Sequence, residues 1–229
     1  MFLTELPAGQ SVLVLVPHPD DEALGCGGTL ALLSDKGIVV TTCYVTSGER
    51  LHGEPSASVA EERVAEARAV SGALGCRESL FLGFPDGDVG SHGDSLLKEL
   101  RKVAAAVRPD LVLAPSPVDF HADHRALADV AAQLHRRSGD ARLAFYEVYT
   151  TLRLNCVIDI AAQVQRKRDA IMGYRKSLYG KPEVYVHAAL GLNAQRSIFT
   201  QRAGYFEAFY VVGADLPANA VADYLSYRI

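Results

Sequence analysis

The stretch HPDDE, His18–Glu22, puts a histidine and three acids directly behind an aliphatic run, VLVLVP. About a hundred positions later SPVDFHADH, Ser116–His124, does the same behind LVLAP, with two histidines and two acids. His18 and Asp21 stand three apart, so a tight turn entering a helix lets both reach one ion. A histidine from the second stretch would complete a set of two imidazoles and one carboxylate. Those are the donors of catalytic zinc, which leaves a position open for water. Pro17 and Pro19 restrict the first loop and limit the entropy lost on binding. Asp20 is then left beside the ion but off it, where a carboxylate can deprotonate water that the metal has acidified towards pKa ~7. An Asp-Asp pair before a helix also suits N-capping. Two polar clusters at two strand ends carry more weight than either alone.

Elements able to position these clusters follow from the hydrophobic pattern. Ser11–Val16, Ile38–Thr46, Ser79–Leu82 and Leu111–Ala114 are predicted as strands. Glu22–Lys36, Ser58–Leu74, Ser95–Val107 and His124–Arg137 are predicted as helices. Gly37 and Gly75 are stop signals, and Ser58 with Glu61 forms a candidate capping box. Alternation of this kind gives an α/β, Rossmann-like, mostly parallel sheet with helices on both faces. Ligands of such sheets bind outside the carboxyl ends of the strands. Both clusters therefore face one crevice if their strands are neighbours. After Leu143 the pattern changes. AFYEVYTTL and NCVIDI read as two strands separated by a short turn, and Ala161–Tyr174 and Asn193–Phe206 as helices. The expectation is one domain over residues 1–229. Its core spans about 1–140, and a C-terminal cap over 141–229 extends the sheet and walls the site.

The gross numbers exclude several classes. With 229 residues the chain can bury a sizeable core. The formal net charge of −4 argues against a nucleic-acid partner, which needs a clustered basic surface. The one basic cluster, QRKRDA at Gln165–Ala170, reads as the solvated face of a helix. No apolar run approaches the ~20 residues of a membrane span, and MFLTELPAGQ lacks the marks of a secretory signal. Cys26, Cys43, Cys76 and Cys156 are widely spaced and form no CxxC. Buried reduced thiols and a cytoplasmic location are expected. GCGG, Gly25–Gly28, lies inside the first helix rather than at a strand-to-helix turn, so close helix packing is expected there instead of a nucleotide loop.

PHPDDEALGCGGTLA, TSGE, RVAEARAVSGALG, FLGFPDGDV and HADH, in that order, resemble the PIG-L (LmbE-like) family. Its members are zinc-dependent de-N-acetylases of N-acetylglucosamine-bearing molecules. The resemblance covers about the first 140 residues well and is looser afterwards, at QRKRDAIMGYRKS and RAGYFEAF. It implies one zinc ion held by His18, Asp21 and His124, although another divalent transition metal would suit similar donors. It implies Asp20 as general base. His121 would protonate the leaving amine or polarise the amide oxygen, with Asp123 orienting it. Arg63, Glu66 and Asp86 would contact substrate. The residues' own chemistry also allows Arg63 and Glu66 to be a surface pair and Asp86 to be a turn residue.

One position departs from the family pattern. Where some members carry a tyrosine as oxyanion donor, two residues before the first histidine of HxDH, this chain has Asp119. An ionised carboxylate cannot donate. Tyr149, Tyr185 and His187 are alternative donors, and Asp119 could instead support a ligand histidine. The expected substrate is a small molecule or glycoconjugate bearing an N-acetyl amino sugar. Competing readings are hydrolysis of another amide or ester on the same metal, a non-catalytic sugar-binding domain, and a nucleotide-binding module on GCGG. The sequence leaves the aglycone and any homo-oligomer open.

Overall fold

β1 (Ser11–Val16) has no polar face to solvate, and all of it but Ser11 is buried. Its side chains alternate. Val12, Val14 and Val16 pack with Leu30, Val70 and Ile171 on one face of the sheet, and Leu13 and Leu15 pack with Leu100 and Leu127 on the other. A strand buried on both faces must sit mid-sheet with helices above and below it. The computed structural model, which describes residues 3–138 and 141–213, shows this arrangement.

The elements run β1, α1 (Asp21–Asp35), β2 (Val39–Thr46), α2 (Ala57–Leu74), β3 (Glu78–Phe84), α3 (Gly93–Val107), β4 (Leu111–Pro115), α4 (Ala122–Ser138) and β5 (Arg142–Tyr146). Then come β6 (Cys156–Asp159), α5 (Val164–Gly173), α6 (Pro182–Gln195) and β7 (Phe206–Val212). The sheet order is β3-β2-β1-β4-β5-β7-β6. The first five strands are parallel, and β7 is antiparallel to both its neighbours. Strand order reverses between β1 and β4, which pair directly through Leu13↔Val112. The two polar clusters therefore leave adjacent strands at the switch point, where open α/β sheets bind ligands.

Four local expectations are corrected. Ser56, not Ser58, caps α2, accepting from the Val59 amide at 3.4 Å. The strands expected at AFYEVYTTL and NCVIDI are not hairpin partners. β5 ends at Tyr146, and β7 stands between it and β6. Glu147 leaves the strand because its carboxylate binds Arg196 and the Leu152 amide. The last helix starts at Pro182, at its first turn, and ends at Gln195, while Phe206 opens β7. Finally, QRKRDA is not wholly a solvated face. Lys167 is fully buried and donates to Glu207 Oε1 at 2.6 Å and to the Leu24 carbonyl at 2.8 Å. Positions 214–229 of the expected cap lie outside the described residues.

The glycines of α1 act as spacers. A Cβ at Gly25 would stand 2.5 Å from the Glu147 carbonyl, and one at Gly28 would stand 2.7 Å from Ile160. The four cysteines are free; three are buried and Cys76 is half-buried. No helix among the described residues is long and apolar enough to cross a membrane.

Candidate metal centre and active site

The first loop is held in a conformation that ordinary residues avoid. Asp20 has φ 126° and ψ −29°, a strained backbone for a residue with a Cβ. Its carbonyl accepts from the Ala23 and Leu24 amides and starts α1. This turn lifts the Asp20 side chain away from Asp21, whose carboxylate instead accepts from the His18 amide at 3.0 Å.

His18, Asp21 and His124 converge. His18 Nδ1 and His124 Nε2 each lie 3.2 Å from Asp21 Oδ2. Zinc bonds of about 2.0–2.1 Å at tetrahedral angles put neighbouring ligand atoms about 3.3 Å apart, so each of the two Asp21–imidazole spacings fits a pair of ligands on one ion. The hydrogen-bond inventory points the same way. Asp21 Oδ1 and both His124 ring nitrogens are buried without a hydrogen-bond partner among the described residues. Buried polar atoms are rarely left so, and a cation would satisfy Asp21 and His124 together. Two further sets bring their donor atoms within 4.8 Å of one another: the rings of His18, His121 and His124, and the His18 ring with the Asp86 and Asp123 carboxylates. On the second set's side the acceptors are already engaged. Asp123 accepts from the Gly87 and Val89 amides, and Asp86 from the Arg50 amide. His18 Nε2 lies 3.1 Å from both carboxylates. A proton on Nε2 there leaves the Nδ1 lone pair facing Asp21, the usual way a carboxylate orients a metal-binding histidine.

The supports differ from expectation at Asp123 and at the Arg63 and Glu66 pair, while Asp119 stands behind a ligand histidine, one of its two expected places. The Asp123 carboxylate is turned to His18, not to His121. Its amide, rather than its side chain, meets His121, donating to Nδ1 at 3.2 Å. Asp119 lies behind the site, with Oδ1 3.6 Å from His124 Nδ1 and accepting from the His121 amide at 3.0 Å. Arg63 and Glu66 do not pair with each other. Arg63 is buried, and its guanidinium donates to the Pro19 and Gly48 carbonyls, to Ser177 Oγ and to Asp20 Oδ2. Glu66 accepts from the Ser177 amide at 3.0 Å and its hydroxyl at 2.9 Å. Both therefore fasten the 176–177 segment to α2.

Electrostatics separate the two neighbouring acids. Burial raises the Asp20 carboxyl well above the usual range against the pull of Arg63, with the Asp21 charge adding to the rise. Burial also opposes charge on Asp21, but His124 and His18 overcome it and hold that carboxyl far below the usual range. Burial lowers His121, and the neighbouring His18 and His124 rings lower it further. Adjacent groups with opposed shifts are the mark of acid–base machinery.

A cavity of about 310 Å³ opens over this cluster. His18, Asp20, Arg63, Asp86 and His121 line it, as do Arg50, Phe120, Tyr149, Ser177, Tyr179 and Tyr185. Tyr149 and Tyr185 are thus at the site, while His187 lines a separate groove against α5. The sequence reading missed Arg50, Phe120, Ser177 and Tyr179. The looser resemblance at QRKRDAIMGYRKS reaches Ser177 but stops two residues short of Tyr179.

A Rossmann-like sheet with a two-histidine, one-carboxylate cluster at its switch point defines an α/β protein able to hold a catalytic metal. Residues 13–135 match the family model described as PIG-L, GlcNAc-PI de-N-acetylase. The chain belongs to the PIG-L family. A probable N-acetyl-alpha-D-glucosaminyl L-malate deacetylase 2 of Bacillus cereus is 28% identical over 81% of this chain and 82% of its own length. The fold matches N,N'-diacetylchitobiose deacetylase of Pyrococcus horikoshii with TM-score 0.76 at 24% identity, over 90% of this chain and 84% of that one. It also matches GalB, the 4-carboxy-2-hydroxymuconate hydratase of Pseudomonas putida, with TM-score 0.77 at 23% identity, over 91% and 98%. The fold alone does not choose the reaction.

Proposed function

We propose that the chain is a zinc-dependent amidohydrolase that removes acetyl from an N-acetylglucosamine-type sugar conjugate. The observation that carries this reading is the convergence of His18 Nδ1 and His124 Nε2 on Asp21 Oδ2, with Asp20 beside them. The two histidines and the carboxylate would hold the ion, and their donor set favours zinc. When bound, zinc supplies Lewis acidity to the acetyl carbonyl and to water.

The chain's own groups account for the proton movements. Asp20 lines the cavity and takes the proton of the attacking water. The Arg63 guanidinium, 3.3 Å from Asp20 Oδ2, keeps the carboxylate aimed. The Asp123 amide occupies the Nδ1 lone pair of His121, so the ring proton sits on Nε2. A neutral Nε2–H can donate to the oxygen that gains charge as the carbonyl is attacked. With His121 neutral, Asp20 returns its proton to the nitrogen as the C–N bond breaks, leaving acetate and a free amine. Asp86, buried in the wall of the cavity, is placed to accept from sugar hydroxyls. Arg63 and Glu66 act by holding the wall rather than by touching substrate.

The test is acetate release from N-acetylglucosamine-bearing compounds and from acyl amino acids, before and after chelation. Release from the sugars alone, lost on chelation and regained with zinc, supports the reading. Release only from acyl amino acids, or release that survives chelation, contradicts it.

A further inference from the structure

Three of the eight large apolar side chains exposed among the described residues, Phe120, Tyr149 and Tyr179, ring the mouth of this one cavity. Their exposures are 67%, 41% and 56%. Scattered apolar side chains need no explanation, but a cluster bordering a polar cleft marks a contact surface. The backbone of Phe120 and the rings of both tyrosines are also tied down. The Phe120 amide donates to Thr150 Oγ1 at 3.1 Å. The Tyr149 amide donates to Asp119 Oδ2 at 3.1 Å, and its ring stacks on His124 at 5.6 Å and 26°. Tyr179 sits at φ 54°, a left-handed backbone that a large side chain adopts only when held, and its hydroxyl donates to the Leu51 carbonyl at 3.2 Å. Phe120 and Tyr149 stand 5.4 Å apart, at 51°.

We propose that Phe120 and Tyr149 form a subsite for a second ring of the substrate, a pyranose joined to the sugar that is deacetylated. The inference rests on the hydrolytic reading above. A cavity of about 310 Å³ is at the small end of ligand sites, enough for one sugar whose acetamido group reaches the metal cluster. The rest of a conjugate must lie over the rim. Aromatic rings offer flat apolar faces to the C–H face of a pyranose at little entropic cost, because they have few rotatable bonds, and Tyr149 is already stacked on His124. An anionic aglycone fits less well. Arg50 is exposed at the same mouth with no carboxylate partner among the described residues, but Arg63 is buried and gives four of its five N–H donors to protein acceptors. A dicarboxylate would find only one free guanidinium there.

The experiment measures binding to the metal-loaded wild-type chain by calorimetry. The ligands are glucosamine and its β-1,4-linked dimer, both already deacetylated and so not turned over. Wild type should bind the dimer roughly three- to tenfold more tightly. Phe120→Ala should bring the ratio near one, and Phe120→Tyr should restore it. Equal affinities in wild type, or a ratio that survives both Phe120→Ala and Tyr149→Ala, would overturn the subsite. So would tighter binding of a glucosamine carrying an anionic aglycone that only Arg50→Ala removes. A dimer preference abolished by Phe120→Ala in a chain that releases no acetate would sink the hydrolytic reading and leave the subsite standing.

Discussion

Arg63, from the middle of α2, places Nη2 3.3 Å from Asp20 Oδ2 and 2.8 Å from the Pro19 carbonyl. One buried guanidinium thus grips both the backbone and the side chain of the strained turn after β1. Asp20 is thereby fixed as a carboxylate outside the cluster of His18, Asp21 and His124. Asp20→Asn should keep its bound metal while acetate release falls about 10²–10⁴-fold, the usual loss for a positioned base. Steady-state rates paired with metal analysis check this, and full activity would refute the assignment.

Arg63→Lys keeps a charge but loses the forked geometry, and Lys cannot make all four contacts. The expected result is a loss in kcat larger than the change in KM, because the turn and the 176–177 wall loosen while the substrate groups stay. Glu66→Gln keeps an acceptor for Ser177 and should be milder in both constants. A large rise in KM alone for Arg63→Lys would instead indicate direct substrate contact.

Much of this site was legible in the sequence, for a physical reason. β1 and β4 are short apolar runs with polar residues at their carboxyl ends, and such runs form buried parallel strands whatever lies elsewhere. The placing of His18, Asp21 and a histidine of HADH at neighbouring strand ends followed from that local pattern, while the choice of His124 over His121 came from the family resemblance. The direction of a side chain did not. Asp123 faces His18 because the Gly87 and Val89 amides, on the loop after β3, capture its carboxylate. The order of β5, β6 and β7 was also hidden, since antiparallel pairing between strands so far apart in the chain leaves no local trace. Lys167 looked solvated because its partner, Glu207, lies on β7.

That buried pair carries its own prediction. Glu207 also accepts from the Gly28 and Thr29 amides at 2.9 and 2.7 Å, so it ties α1 to β7 while Lys167 ties α1 to α5. Lys167→Met leaves a buried carboxylate without its cation and should cost about 3–5 kcal/mol of unfolding free energy. Urea unfolding measures this, and an unchanged midpoint and slope would contradict it.

Glu22 supplies a pH dependence. Burial pushes its carboxyl up to about 7, although the Tyr174 hydroxyl donates to it. A glutamate in the unfolded chain titrates near ~4.3. Between these values the folded state holds a proton that the unfolded state has lost, so stability falls as pH rises through that window. The total is about 4 kcal/mol at ~1.36 kcal/mol per unit. Glu22→Gln should flatten the fall between about pH 4.5 and 7, seen in urea melts across that range. A wild-type slope that persists in the variant would assign it to another group.

The convergence of two strand ends on one ion is tested most directly by elemental analysis of dialysed protein. Wild type should retain about one zinc per chain, while His18→Ala and His124→Ala should each lose nearly all of it and remain folded by circular dichroism. Equimolar zinc retained by a folded His124→Ala chain would contradict the assignment, because Asp21 and His18 would then be binding metal without the second strand's imidazole.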